Sequence, residues 1–267
     1  MHTLSRLLLV ATVVTLVVPG ARADAQQRDP DAFRYSGSVA AGRTVHIHNL
    51  NGAIEVERSR GNDVEIRAEK RWRRGDPDDV RIVQLAGRNG DLIVCALWHD
   101  AECSENGMRS RRNNNNWNDR NDVSVTFTVR VPDGVQVNLR TVNGGVTVDE
   151  VSGAVDATTV NGSITARSTR GPVTASTVNG SIEASLGALG NDDLHYKAVN
   201  GGITLELPRD ANVELDLNTV NGSVSTDFPV TVQGSISRKR LRGTVGDGGR
   251  LLKASTVNGG ITLKRAS

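Results

Sequence analysis

Apolar and polar residues alternate with a period of two along most of this chain. Across residues 144–185 the apolar members are Val146, Val148, Val155, Ala157, Ile164, Ala166, Val173, Ala175, Ile182 and Ala184, with Thr147, Asp149, Asp156, Thr165, Thr174 and Glu183 between them. Such alternation marks half-buried β-strands with one apolar face. The strands keep a beat: Gly144, Gly153, Gly162, Gly171 and Gly180 stand nine residues apart, each opening the pattern Gly-x-[Val/Ile]-x-[Ala/Val]. A weaker version fills the N-terminal half, in HIHNLNGAIEVERS (46–59), NDVEIRAEK, VRIVQLAG, DLIVCALW and DVSVTFTVRVP. No segment has the length and apolar period of a helix, although DPDDVRIVQLAG can begin with a short helical turn.

Two nine-residue units make a larger one, because every second turn carries Val-Asn-Gly. Asn143, Asn161 and Asn179 are 18 residues apart, the steps to Asn200 and Asn221 are 21, and the step to Asn258 is 37, which reads as two coils with one less regular member between. Asn51-Gly52 is an early copy. Asn-Gly between strands also signals a type I′ hairpin, so an antiparallel meander is the alternative architecture. A meander has no need for the same residues at every second turn, whereas a coil whose rungs stack in register does. The expected fold is all-β, a right-handed parallel β-helix or β-solenoid with rungs of about 18–21 residues. Its corners are assigned to Asn51, Asn143, Asn161, Asn179, Asn200, Asn221 and Asn258 with Gly52, Gly144, Gly162, Gly180, Gly201, Gly222 and Gly259. Positive φ costs Asn and Gly least there, and the asparagines can form an amide ladder up the stack. About a dozen rungs at roughly 4.8 Å each would give a rod on the order of 55 Å, with Lys264 and Arg265 guarding an open end against edge pairing.

Aromatic residues make up only 3% of the chain, so the core must be built from Val, Ile, Leu and Ala, which suits thin β layers. The chain opens MHTLSRLLLVATVVTLVVPGARADAQQ, with Arg6 ahead of an apolar run at 7–18 and small residues around 21–25. That is the pattern of a secretory signal peptide over residues 1–25. The run is about 12 residues, short of the roughly 20 a membrane-spanning helix needs. The expectation is an exported chain, periplasmic or at the cell surface, with no membrane span after cleavage. Of 32 Lys and Arg and 30 Asp and Glu, the leader takes Arg6, Arg22 and Asp24, which leaves 30 basic against 29 acidic side chains. This balance points to no nucleic acid and no anionic membrane as partner. Residues 26–140 form the irregular portion of the solenoid, with an Asn/Arg-rich loop at 99–121, and residues 141–267 form the regular repeat.

The two cysteines, Cys95 and Cys103, are eight residues apart and in an exported chain are expected to form a disulfide that pins the base of that loop. The alternative of a metal held by His99, Asp100, Glu102 and Cys103 fits no zinc spacing. In the loop, Arg111, Arg112 and Trp117 make a candidate contact tip, against the plainer reading of a solvated low-complexity insert. His46 and His48 share one face of a strand, two metal ligands without an identifiable third. The acids Asp149, Asp156, Glu183, Asp192 and Asp193 do not recur at one corner of neighbouring rungs, as the paired carboxylates of a carbohydrate-active β-helix would. No Gly-x-Ser-x-Gly, HExxH, CxxC or phosphate-loop motif occurs, and the turns lack the aspartates of calcium-binding nonapeptides. No catalytic residue, cofactor or metal is assigned.

The repeated Thr-Val-Asn-Gly-[Ser/Gly]-[Ile/Val] unit behind a leader resembles the bacterial β-strand-repeat family named for adhesins, a domain family of unknown function. The likeness spans the mature chain and is strongest over 140–265. It implies an exported β-solenoid at the cell envelope, with some relatives linked to envelope-stress signalling, and it brings no catalytic residues. The Asn-rich insert, the cysteine pair and the lack of an evident anchor depart from multidomain relatives. The expected function is a non-enzymatic, adhesin-like interaction or scaffold module whose partner is an envelope protein or glycan. The alternatives are a carbohydrate-active β-helix enzyme, a polysaccharide lyase or hydrolase, and an envelope-stress sensor domain.

Overall fold

The computed structural model describes residues 27–110, 121–168, 171–190, 192–232 and 237–266. The leader-like segment and the tip Arg111, Arg112 and Trp117 lie outside the described residues. Alternating apolar residues become strands throughout, and among the described residues the helical segments are two short 3-10 turns, Pro77–Asp79 and Arg88–Gly90. Nine strands precede the repeat: β1 (Gln27–Ser38), β2 (Thr44–His48), β3 (Ile54–Arg58), β4 (Asp63–Trp72), β5 (Val80–Ala86), β6 (Leu92–Trp98), β7 (Ala101–Ser104), β8 (Gly107–Ser110) and β9 (Ser124–Val131). The repeat supplies β10 (Gln136–Arg140), β11 (Val146–Val151), β12 (Val155–Asn161), β13 (Ile164–Ser168), β14 (Val173–Asn179), β15 (Ile182–Leu186), β16 (Leu194–Asn200) and β17 (Ile203–Leu207).

Even-numbered repeat strands stack in one sheet and odd-numbered ones in the other, all in parallel register. Val137 pairs with Val155 and Val155 with Val173, while Val146, Ile164, Ile182 and Ile203 form the matching column opposite. This pairing is that of a two-sheeted coil and not of a meander. The inward residues of both sheets make one continuous core. Ala157, Ala166, Ala175 and Ala184 are all buried and keep it narrow, and it widens where Tyr196 and Leu205 follow them.

After the repeat come β18 (Val213–Asn221), β19 (Val224–Thr226), β20 (Thr231–Val232), β21 (Arg240–Val245), β22 (Arg250–Asn258) and β23 (Ile261–Arg265). They do not stack in chain order. Strand β22 lies between β16 and β18, and β23 lies between β17 and β19. The rung made last in sequence is therefore inserted under the one before it. The other end repeats the device: β2 and β3 are flanked by β10 and β11 on one side and by β6 and β9 on the other. The 37-residue step to Asn258 is thus an insertion and not a skipped coil, and Lys264 and Arg265 lie on an interior rung instead of a free edge.

Eight parallel levels result among the described residues, fewer than the dozen expected, spanning about 34 Å at roughly 4.8 Å per level. The missing levels were spent on caps. Strand β5 runs antiparallel on β6, and β4 antiparallel on β9 with β1 beyond it. At the far end β21 pairs antiparallel with β18 and β20 with β21. Antiparallel strands thus cover the outer edges of β6, β9 and β18, edges that a bare stack would present to other chains, while β19 ends its own sheet. Residues 101–110, expected as part of an irregular loop, form the β7–β8 hairpin.

Candidate interaction surface

Each position of the Thr-Val-Asn-Gly corner has its own contact. Thr141, Thr159, Thr177, Thr219 and Thr256 are buried, and their hydroxyls donate to the carbonyls of Gly52, Gly144, Gly162, Gly259 and Gly201 on the adjacent level, at 2.7–3.1 Å. A buried hydroxyl thereby satisfies a backbone acceptor at the turn. The asparagines form an exposed side-chain ladder. The Nδ2 of Asn161 donates to Oδ1 of Asn143, Asn179 to Asn161 and Asn200 to Asn179, each at 2.8 Å. Asn258 continues it onto Asn200 at 2.7 Å, and Asn221 onto Asn258 at 2.9 Å. Asn51 stacks on Asn143 and donates its amide to the Val123 carbonyl at 2.8 Å.

Positive φ is not the reason for these residues. None of the corner asparagines has a positive φ, and of the corner glycines Gly52, at φ 120°, is well inside that region. Glycine is required by close approach. A Cβ on Gly144, Gly162, Gly180, Gly201, Gly259 or Gly222 would overlap a glycine carbonyl of the next level, and one on Gly52 the carbonyl of Val125.

The remaining residue, valine, points outward. Val142, Val160, Val178, Val199, Val257 and Val220 stand one above another, because the threonines or asparagines flanking them are in register. Val178 is 38% exposed, Val257 39% and Val220 50%. This gives an aliphatic ridge about 24 Å long, bordered by the amide ladder on one side. On the other side run Arg140, Thr158, Ser176, Lys197, Ser255 and Asn218.

At the β6 end of the stack the outer face of the same sheet is covered. Strand β6 is buried on both faces, because Ile93, Cys95 and Leu97 pack outward against Val83, Ala101, Cys103 and Met108. Cys95 and Cys103 are joined, fastening the β7–β8 hairpin over the sheet. Cys103 is thereby unavailable to the alternative metal set. The hairpin turn is also held by Arg140, whose Nη1 donates to the Asn106 carbonyl at 2.7 Å. Beneath lie His46 and His48, with ring centres 6.0 Å apart. His48 is 1% exposed, and burial, reinforced by the Arg140 guanidinium and by His46, lowers its pKa to about 4. Burial also lowers that of His46, opposed by the nearby Asp91 and Glu105. Among the described residues no group of three His, Cys, Asp or Glu side chains is gathered as a metal site.

The candidate acids are dispersed. Asp149 and Glu183 are on the second sheet, Asp156 is on the first, and Asp192 and Asp193 are in the turn before β16. Asp193 accepts from the Leu251 amide at 2.9 Å. Asp149 does have an acidic lateral neighbour, Glu57, in an open depression of about 520 Å³ lined by Glu57, Arg58, Ser59, Arg60, Asp149 and Glu150. Both carboxylates face arginines: Arg130 Nε is 2.5 Å from Glu57 and Arg167 Nη1 3.6 Å from Asp149.

The family described as Toastrack DUF4097 matches residues 121–264, more than half of the chain. No curated protein matches it. Among solved structures, a candidate cell adhesion protein of Clostridium sporogenes ATCC 15579 is similar at 10% identity and TM-score 0.45, over 89% of this chain and 100% of that one. A candidate adhesin of Bacteroides fragilis NCTC 9343 is similar at 10% identity and TM-score 0.37, over 91% of this chain and 99% of its own. Likeness at this level carries nothing about function.

Proposed function

The chain belongs to the Toastrack DUF4097 family, and from that premise we propose that it is a non-enzymatic, adhesin-like interaction or scaffold module of the bacterial cell envelope. It engages an envelope protein or glycan through the outer face of the valine-bearing sheet. The observation that carries this reading is the ridge of Val142, Val160, Val178, Val199, Val257 and Val220 beside the amide ladder. An apolar strip with a polar border on a rigid frame combines the burial and hydrogen bonding that an interface needs. Export to the periplasm or cell surface is supported by the disulfide and by the leader-like sequence. A right-handed winding follows the preference of parallel crossover connections and belongs to the same proposal.

The test is a panel of envelope polysaccharides and isolated envelope proteins, offered to the native protein and to a triple variant, Val178→Thr, Val220→Thr and Val257→Thr. These changes keep the β-branched shape and remove apolar surface. Binding without cleavage, weakened about tenfold or more in the variant, is the expected result. Unchanged binding by the folded variant would remove the ridge from the account. Cleavage of a glycan that is lost in Asp149→Asn would favour the second reading, a carbohydrate-active enzyme built on the Glu57–Asp149 pair.

A further inference from the structure

We propose that the ligand of the valine-bearing face is an acidic polysaccharide of the uronic-acid class, laid along the stack axis and gripped at the far end by Lys197, Lys253, Arg240 and Arg238. This inference rests on the reading of that face as the binding surface and narrows it to one chemistry.

Positive charge gathers at one place on this face. The strand order there is β14, β16, β22, β18, β21. In the row beside the ridge, Lys197, Ser255, Asn218 and Arg240 are successive lateral neighbours. In the next row Lys253, Asp216 and Arg242 follow one another. Before Arg240 come Arg238 and Lys239, whose carbonyls accept from the Val224 and Thr219 amides at 2.9 and 2.8 Å, so a basic turn closes the ridge at Val220. All six basic residues are exposed. The segment 237–242 reads SRKRLR, without an acid.

The acid within the cluster is occupied internally. Asp216 accepts from Arg242 Nε and Nη2 at 3.1 and 3.0 Å, and these bonds, with Arg240 and Lys253 adding to them, hold its carboxyl below the usual range. Lys197, Lys253, Arg238 and Lys239 make no ion pair among the described residues. Glu214 stands two residues further from the ridge than Asp216, so positive charge is what borders the apolar strip. Charges on neighbouring levels, roughly 4.8 Å apart, lie inside one Debye length and act on a bound anion together. Arginine forks match the geometry of a carboxylate.

The rest of the face selects the kind of anion. Asn161, Asn179, Asn200 and Asn258 each donate one amide hydrogen along the ladder, which leaves the second N–H of each exposed amide to a ligand. Thr158, Ser176 and Ser255 supply a row of hydroxyls on the other side of the ridge. Polar rows of regular spacing suit a polymer that repeats hydroxyl and carboxylate groups along its length. Phe, Tyr and Trp do not stand in these rows, so the face lacks rings on which nucleic-acid bases stack and the aromatic anchors of protein interfaces.

The experiment offers polygalacturonate, neutral dextran, poly-glutamate and single-stranded DNA to the full chain, followed by calorimetry. Polygalacturonate is expected to bind most tightly, and to weaken about tenfold or more when NaCl rises from about 0.05 M to about 0.5 M. The triple variant Lys197→Gln, Lys253→Gln and Arg240→Gln should weaken it about tenfold or more. A control triple at exposed cations elsewhere, Arg43→Gln, Arg67→Gln and Arg81→Gln, should leave it unchanged, and thermal melts identify variants that are folded. The proposal is overturned by absence of polygalacturonate binding at low salt, by equal losses in the two charge variants, or by tighter binding of poly-glutamate or DNA. A neutral glycan or a protein whose binding is weakened by the valine variant and untouched by the charge variant would keep the ridge and overturn the acidic ligand. Loss of polygalacturonate binding in the charge variant alone, with the valine variant unchanged, would keep the acidic ligand and remove the ridge.

Discussion

Thr, Val, Asn and Gly in the repeated corner answer to different neighbours, so their substitutions should fail by different amounts. Gly162→Ala places a Cβ against the Gly144 carbonyl of the next level, and backbone cannot yield there without parting the rungs. A loss above about 3 kcal/mol is expected, in the range of strong overpacking. Asn179→Ala removes two exposed amide bonds, one donated to Asn161 and one accepted from Asn200, with no relief or creation of backbone strain. About 1–2 kcal/mol is expected. Urea melts of both variants rank them, and an alanine at 162 milder than the alanine at 179 would contradict the close stacking of glycines.

At the scale of elements, the hairpins and their fastenings decide local stability. Asp122, at the entry to β9, accepts from the backbone amides of Gly75, Arg73 and Arg74 at 2.9, 3.1 and 3.2 Å, and the first of these does most to hold its carboxyl below the usual range. The unfolded chain therefore takes up this proton at higher pH than the folded one. The contribution is present above the usual carboxylate value near 4 and is lost as pH falls through the lower folded value. The gap in Tm between the native protein and Asp122→Asn should thus shrink between about pH 6 and about pH 2, and a gap that widens on acidification would refute the assignment. The strands themselves were legible, because alternation at Val146, Val148, Ile164 and Ala166 and the beat of Asn-Gly report local geometry. What the beat could not report is order. Asn221 and Asn258 are 37 residues apart along the chain and adjacent in the ladder, and spacing alone does not distinguish a skipped coil from an inserted one. The β7–β8 hairpin was hidden for another reason: its strands are short and mostly polar, and they are fastened by Cys95–Cys103 and by Arg140. His46 and His48 could be placed on one face from their spacing, but not the cover above them.

In the whole molecule, each end of the stack is closed by a rung that the chain enters out of order. Strand β19 has β23 as its sheet neighbour, and β18 depends on β22 on its inner side. Deleting residues 250–267 should therefore do more than shorten the coil. Hydrogen exchange should show protection lost throughout 213–232 and 237–245, whereas loss confined to the last ladder would mean that the cap stands by itself. The same insertion has a mechanical consequence. Strand β23 is bonded in parallel to β17 on one side, through Ile203–Ile261, and to β19 on the other, through Val224–Ile261. Tension applied at Ala266 along the strand must shear both ladders at once instead of peeling an outer strand one bond at a time, so a load at this end meets a clamp where a simple coil would unravel.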